Sequence, residues 1–232
     1  MKTKFIRSVA TLILVVSCTK ETPNFTLIGT VKGLRKGTVY LERAKDSTYK
    51  IIDSVVINGN PEFQLHYNLE EPEVLFLRLN KNDDKGDIIT FFADSGVTQI
   101  NTTLKNFNFD AKIKGSKQQE LLEEYRAMMS KFNDQNLDMI KERFDPEKRN
   151  DTLSDSDFED KYNNLLRRQY LYTINFAVTH NASEVAPYLA VTEIADANTK
   201  FLDTIYNLLD SNMKSTIYGK KLKRLIEQRK QQ

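Results

Sequence analysis

The sequence predicts an α+β protein, an N-terminal antiparallel β-sandwich over residues 25–115 followed by a C-terminal helical bundle over 116–232. Three observations carry this. From Phe25 to about Lys114, short alternating or β-branched runs are broken by turn residues, the pattern of strands. From Ser116 onward the apolar residues recur at helical spacing instead. With 232 residues, 40% of them hydrophobic, and only five Pro and eight Gly, the chain can bury a sizeable core.

The candidate strands are Phe25–Val31, Thr38–Arg43, Tyr49–Ile57, Phe63–Tyr67, Glu73–Leu79, Asp87–Ala93, Val97–Leu104 and Phe109–Ile113. Between them fall Gly33, Gly37, Asn58-Gly59-Asn60-Pro61, Asn82-Asp83-Asp84-Lys85-Gly86 and Asp94-Ser95-Gly96, residues that accept positive φ or fix a turn. Strands at such spacing form a sandwich. In Glu73–Leu79, Leu75, Leu77 and Leu79 alternate with Val74, Phe76 and Arg78. Apolar residues at both parities predict a central strand covered on both faces for most of its length.

Ser116 with Gln119 makes a capping-box pattern ahead of Leu121, Leu122, Tyr125, Met128, Met129 and Phe132. After a polar break at Pro146–Ser154, Ser156 with Glu159 repeats it ahead of Phe158, Tyr162, Leu165, Leu166, Ile174 and Phe176, and Asn181 is a natural stop. Ser183 opens a third helix with Pro187 near its first turn, where proline costs least. Phe201–Leu209 and Ile217–Gln228 read as two more helices, joined around Asp210–Ser215.

The first residues give an address. Lys2, Lys4 and Arg7 precede an apolar run, Val9–Val16, with the small Ser17 before Cys18, which is the pattern of a secretory signal. The run is far shorter than the roughly 20 residues that cross a bilayer. Val15-Val16-Ser17-Cys18 resembles a bacterial lipobox, with Val15 where Leu is usual. That resemblance implies a signal peptide over 1–17, cut before an acylated Cys18, and a lipidated tether over 18–24. The alternative is an ordinary signal peptide with a chance cysteine. Cys18 is the one cysteine in the chain, and lipidation would consume a thiol that is a liability in an oxidising compartment. Two or three acyl chains, at about 0.8 kcal/mol per buried methylene, anchor a protein stably. The expectation is a lipoprotein of the cell envelope, anchored at the outer membrane, with the leaflet left open.

Loss of residues 1–17 removes three of the 34 Lys and Arg and none of the 32 Asp and Glu, so the formal charge falls from +2 to −1. The sequence pI of 8.4 therefore belongs to the precursor, and no argument for a nucleic-acid partner survives.

The order Phe25-Thr-Leu-Ile-Gly-Thr-Val-Lys-Gly, Gly37-Thr-Val-Tyr-Leu, Asp53-Ser54-Val55 and Asn58-Gly59 ahead of Phe63 resembles the domain of unknown function that precedes a thioredoxin domain in many Bacteroidota lipoproteins. Ser215-Thr-Ile-Tyr-Gly-Lys-Lys-Leu resembles the segment that closes this preceding region. The resemblance covers nearly the whole mature chain. It implies a sandwich and helices of this order, beside a thiol-disulfide oxidoreductase. The sequence has no Trp and no Cys-x-x-Cys, and with its one cysteine assigned to lipid no thiolate remains for that chemistry. The relatives' activity is therefore not expected here.

Other chemistry reads weakly. His66 and His180 lie in different halves and read as ordinary strand and helix-end residues, and the close His or Cys spacing of a zinc site is absent. Asn80–Asp87 is acidic, but Lys85 breaks the calcium-loop order, so a solvated hairpin turn is the reading. Asp151, Asp155, Asp157, Glu159 and Asp160 suit the start of a helix. Gly219-Lys220-Lys221 lacks the earlier glycine of a phosphate loop. No catalytic, cofactor-binding or metal-ligating residue is assigned, and no enzyme is expected. Lys214, Lys220, Lys221, Lys223, Arg224, Arg229 and Lys230 make the last helix basic, which suits a solvated end or anionic lipid headgroups. The triplets at Asp46, Asp53, Asp151 and Asp203, each followed by Ser or Thr, resemble the O-glycosylation motif of Bacteroidota envelope proteins, and Thr152 is the candidate site.

The functional expectation is a lipid-anchored, non-catalytic binding or docking protein, whose partner is a separately encoded thioredoxin-like oxidoreductase. The alternative is a surface lipoprotein that binds glycan or peptide, and an unrecognised hydrolase is the third class. Exposed aromatics along a sheet face would favour glycan, an apolar seam near Tyr218 would favour docking, and convergent carboxylates in a cleft would favour an enzyme.

Overall fold

A computed structural model describes residues 22–45, 48–80, 87–144 and 155–231. Cys18, Thr152 and the Asn82–Gly86 turn lie outside the described residues. Eight strands come first: β1 (Phe25–Lys32), β2 (Lys36–Lys45), β3 (Thr48–Asn58), β4 (Glu62–Tyr67), β5 (Glu73–Asn80), β6 (Asp87–Ala93), β7 (Gly96–Thr103) and β8 (Lys112–Lys114). Six helices follow: α1 (Lys117–Phe144), α2 (Asp155–Thr179), α3 (Val185–Thr192), α4 (Thr199–Leu208), α5 (Ser211–Lys214) and α6 (Ile217–Lys230). The protein is α+β, as the two periods require.

The strands form two four-stranded sheets, sheet I in the order β4-β1-β7-β8 and sheet II in the order β3-β2-β5-β6. Every described pairing is antiparallel except β1 with β7, which runs parallel from Phe25 opposite Gly96 to Lys32 opposite Thr103. Strand period fixes which face a residue takes but not which strand it meets, so this pairing had no signature in the sequence. Phe25, Leu27 and Leu65 of sheet I meet Leu75, Leu77 and Phe91 of sheet II in one buried core. At Gly29 the neighbouring strands of sheet I crowd β1, since a Cβ there would lie 2.0 Å from the Ile100 carbonyl oxygen of β7 and 2.6 Å from the Phe63 ring of β4. One end is plugged by charge: Arg43 pairs with the buried Glu73 at 3.2 Å and donates to the Tyr67 hydroxyl at 2.9 Å. Burial raises the Glu73 carboxyl above its ordinary range although Arg43 opposes it.

β5 lies between β2 and β6 and is covered on both faces for much of its length. Leu75, Leu77 and Leu79 enter the sandwich core, while Val74 and Phe76 face the helices. The strand expected at Phe109–Ile113 is shorter and later, β8. Phe107 and Phe109 alternate like strand residues, but the Thr103 hydroxyl donates to Asp110 Oδ2 at 2.6 Å and closes a turn instead.

The helices form where the spacing places them. Ser116 caps α1, accepting from the Gln119 amide at 3.1 Å. α2 already includes Asp155, so Ser156 lies in its first turn rather than at the cap. Asn198, Asp210 and Thr216 cap α4, α5 and α6, and the one-turn α5 occupies the stretch read as a joint. Ala177, Ala186 and Ala190 are fully buried among Leu202, Ile205 and Leu222, and their small side chains let the helices close on one another.

Candidate functional surfaces

The sandwich and the bundle are joined by an aromatic seam. On the outer face of sheet II, Val74 and Phe92 are buried against Leu122, Tyr125, Phe176, Val185, Leu189 and Tyr218. The Phe92 ring meets Tyr188 at 5.5 Å and Tyr218 at 5.7 Å, both edge to face. Three hydrogen bonds cross the seam. The Val74 amide donates to the Tyr218 hydroxyl oxygen at 2.9 Å, the Phe92 amide to Gln119 Oε1 at 2.8 Å, and the Ile217 amide to Glu71 Oε2 at 3.0 Å. The last satisfies a free N–H at the start of α6 with a carboxylate, where the helix dipole favours one.

This corrects two expectations. Gln119 does not complete a capping box; its side chain leaves Ser116 to its own bond and occupies the edge of β6. The apolar seam near Tyr218 exists but is filled by the chain's own sandwich, and Tyr218 is only 6% exposed. It is not a free docking surface.

Glu184 sits beside this seam at the start of α3. It is 3% exposed, and its Oε2 has no hydrogen-bond partner. Burial above all pushes its carboxyl up to about 7; Thr216 opposes this, and Glu71 and Asp94 reinforce it.

Beyond the helices, the outer face of sheet II stays open. Here Arg78 grips the buried Glu42, with Nε 3.0 and 3.1 Å from the two carboxylate oxygens, and its guanidinium lies 4.6 Å over the Tyr40 ring. Next to them Tyr49 packs edge-on to Phe76 at 4.8 Å. Tyr49, Ile51 and Val56 of β3 are exposed, Val56 at 74%. A bulge places Ile52 out of register where Leu41 and Glu42 face Asp53 and Ile51. The Asp53 carboxylate turns to the neighbouring strand and accepts from the His66 amide at 2.8 Å.

The outer face of sheet I is mostly polar, with Thr26, Thr30, Gln64, Gln99, Asn101 and Thr103 across β4, β1 and β7 and the apolar Ile28 and exposed Val97 among them. A third region, the cleft between α1, α2 and the end of α3, encloses about 350 Å³ lined by Met129, Leu166, Tyr170 and Glu193. Its Tyr125 hydroxyl and Thr173 hydroxyl satisfy each other at 2.8 Å.

The two histidines are placed as ordinary residues. His66 Nδ1 lies 3.2 Å from the Thr26 hydroxyl, and His180 packs 4.2 Å from the Phe176 ring. Among the described residues no group of three or more His, Cys, Asp or Glu is placed to hold a metal, and no helix is long and apolar enough to cross a membrane. Two of the four glycosylation-like triplets do structural work. Asp53 accepts from the His66 amide within β4, while Asp203 pairs with Lys230 at 2.8 Å and the Thr204 hydroxyl donates to the Lys200 carbonyl. The basic last helix is also partly engaged, since Arg229 donates to the Ala195 carbonyl and Lys230 pairs with Asp203, while Lys214 lies in α5 rather than in that helix and donates to the Asn207 carbonyl.

Residues 25–122 match the family described as Domain of unknown function (DUF4369). The match covers the sandwich and continues into the first turns of α1, as far as Leu122, so it includes the Ser116 cap and Gln119. No curated protein and no solved structure matches the chain.

Proposed function

We propose that this protein is a lipid-anchored, non-catalytic docking subunit of the cell envelope, held at the outer membrane through Cys18 and presenting its sandwich to a separately encoded thioredoxin-like oxidoreductase. The observation that carries the reading is the open apolar strip of β3, where Tyr49, Ile51 and Val56 stand exposed on the part of sheet II that the helices leave uncovered. An exposed apolar patch beside satisfied polar groups is the usual mark of a protein contact. The lipobox resemblance of Val15–Cys18 supports the anchor, and the resemblance of the chain to the region ahead of a thioredoxin domain supports the partner.

The experiment is site-specific photocrosslinking in cells from Ile51 and Val56, with Gln228 on α6 as the comparison position. The reading expects a thioredoxin-fold envelope protein captured from β3 and not from α6. Capture of an outer-membrane transporter, or of no protein at all, would contradict it. Intact-mass analysis of the membrane fraction tests the anchor separately, and an unmodified Cys18 would remove it.

A further inference from the structure

The face of the sandwich turned away from the helices carries a different chemistry, and one short loop gives it shape. Between β7 and β8 the chain passes through Lys105, Asn106, Phe107, Asn108, Phe109 and Asp110. Phe107 is buried in the core, and its carbonyl accepts from the Thr102 hydroxyl at 2.6 Å. Thr103 Oγ1 donates to Asp110 Oδ2 at 2.6 Å and accepts from the Asn106 amide at 3.2 Å, and the Asp110 amide donates to the Asn106 carbonyl at 2.9 Å. In a loop fixed this way Phe109 is held out at 92% exposure, two residues from a buried phenylalanine. Leaving such a ring in water forgoes roughly 2 kcal/mol of burial, and a preorganised exposed ring is what a binding site offers a ligand.

Lys112 shares a depression with the ring, and further cations and neutral hydrogen-bonding groups follow in the two depressions that adjoin it at Thr103 and Asp110. Lys32 of β1, Lys105 of the loop and Lys112 of β8 line three contiguous depressions of about 250, 530 and 470 Å³ that all share Thr103 and Asp110. Thr30 and Asn101 occupy the same trough. Among the described residues none of the three lysines forms a salt bridge, and the one carboxylate in the trough, Asp110, is held by Thr103. Three unpaired cations over one concavity make a positive potential that draws an anion.

We propose that this trough binds an anionic saccharide. Its carboxylate or phosphate meets Lys32, Lys105 and Lys112, the C–H face of a sugar ring lies on Phe109, and sugar hydroxyls exchange hydrogen bonds with Thr30 and Asn101, which both donate and accept. An acidic peptide fits less well. A bound strand needs an open edge to pair with, and β8 offers three residues. The site lies on the opposite side of the sandwich from the β3 strip, so it stands or falls independently of the docking reading.

The test is calorimetric titration of the mature chain with trigalacturonate, glucose 1-phosphate, neutral maltotriose and a glutamate oligopeptide, at low and physiological salt. Binding of either anionic sugar, weakening with salt, is expected, and which one binds separates a carboxylate from a phosphate source. Phe109→Ala and Lys112→Gln should each weaken it about tenfold, while Lys223→Gln on α6 changes nothing. Circular dichroism checks that each variant remains folded. The proposal is overturned if maltotriose or the oligopeptide binds as tightly, if neither anionic sugar binds at millimolar concentration, or if Phe109→Ala has no effect.

Discussion

The two sheets share one core and hold four strands each, yet their outer faces meet opposite fates. On sheet II the outward positions nearest the bundle are Val74 and Phe92, which are buried under helices. On sheet I the corresponding parity carries Thr30, Gln64, Gln99 and Asn101 with only Ile28 and Val97 as apolar members, and it remains in contact with solvent. Strand residues alternate sides, so outward residue type decides whether a sheet face recruits a second layer. The helices pack on the apolar part of that face, against Val74 and Phe92.

Substitutions at matched outward positions give the sharpest contrast. Phe92→Ala should lower stability by about 3 to 5 kcal/mol, because a fully buried ring leaves a cavity at the seam, whereas Gln99→Ala on sheet I should stay within about 0.5 kcal/mol. Urea denaturation of the two variants measures this, and equal effects would break the comparison.

The next effect is on pH. Glu184 has its folded pKa raised to about 7 from the ordinary carboxylate range, so the folded state favours the protonated form. Its contribution is complete below the unfolded pKa, declines as pH rises toward 7, and is lost above it. Stability should fall by about 3 kcal/mol across that window, and Glu184→Gln should flatten this part of the slope. Thermal melts of both proteins between mildly acidic and mildly alkaline pH read it directly.

Tyr218→Phe follows, with a cost of about 1.5 kcal/mol, since the Val74 amide would stay buried without its partner. Hydrogen exchange should locate the loss at the start of β5. The smallest effect belongs to the open strip: Val56→Ser should change stability by no more than about 0.5 kcal/mol while weakening crosslinking from Ile51, farther along the same strand.

How much of this was legible depends on the range of the signal. Turns were, because Gly33, Gly59 and Gly96 adopt φ of 92°, 96° and 106°, which other residues rarely take. The change of period at Ser116 was legible for the same local reason. The parallel β1–β7 pairing was not, nor was the bulge at Ile52, because both depend on which strands meet. Gln119 looked like half of a capping box and instead serves a strand 27 residues earlier. The sequence marks Tyr218 as a candidate seam residue, but nothing local says that its partner is Val74, 144 residues away in the chain. The trough on sheet I has no local signature, because its lysines come from three separate segments and Phe109 opens a run with strand-like alternation.

The central claim is that sandwich and bundle are one cooperative body joined at Tyr218, Phe92 and Gln119. Pulsed hydrogen exchange through a urea titration, followed by mass spectrometry of peptides from β1, β5 and α6, tests it most directly. One midpoint for all three peptides, shifted together by Phe92→Ala, is the predicted result. Separate midpoints for β1 and α6, with only one moved by the substitution, would contradict it.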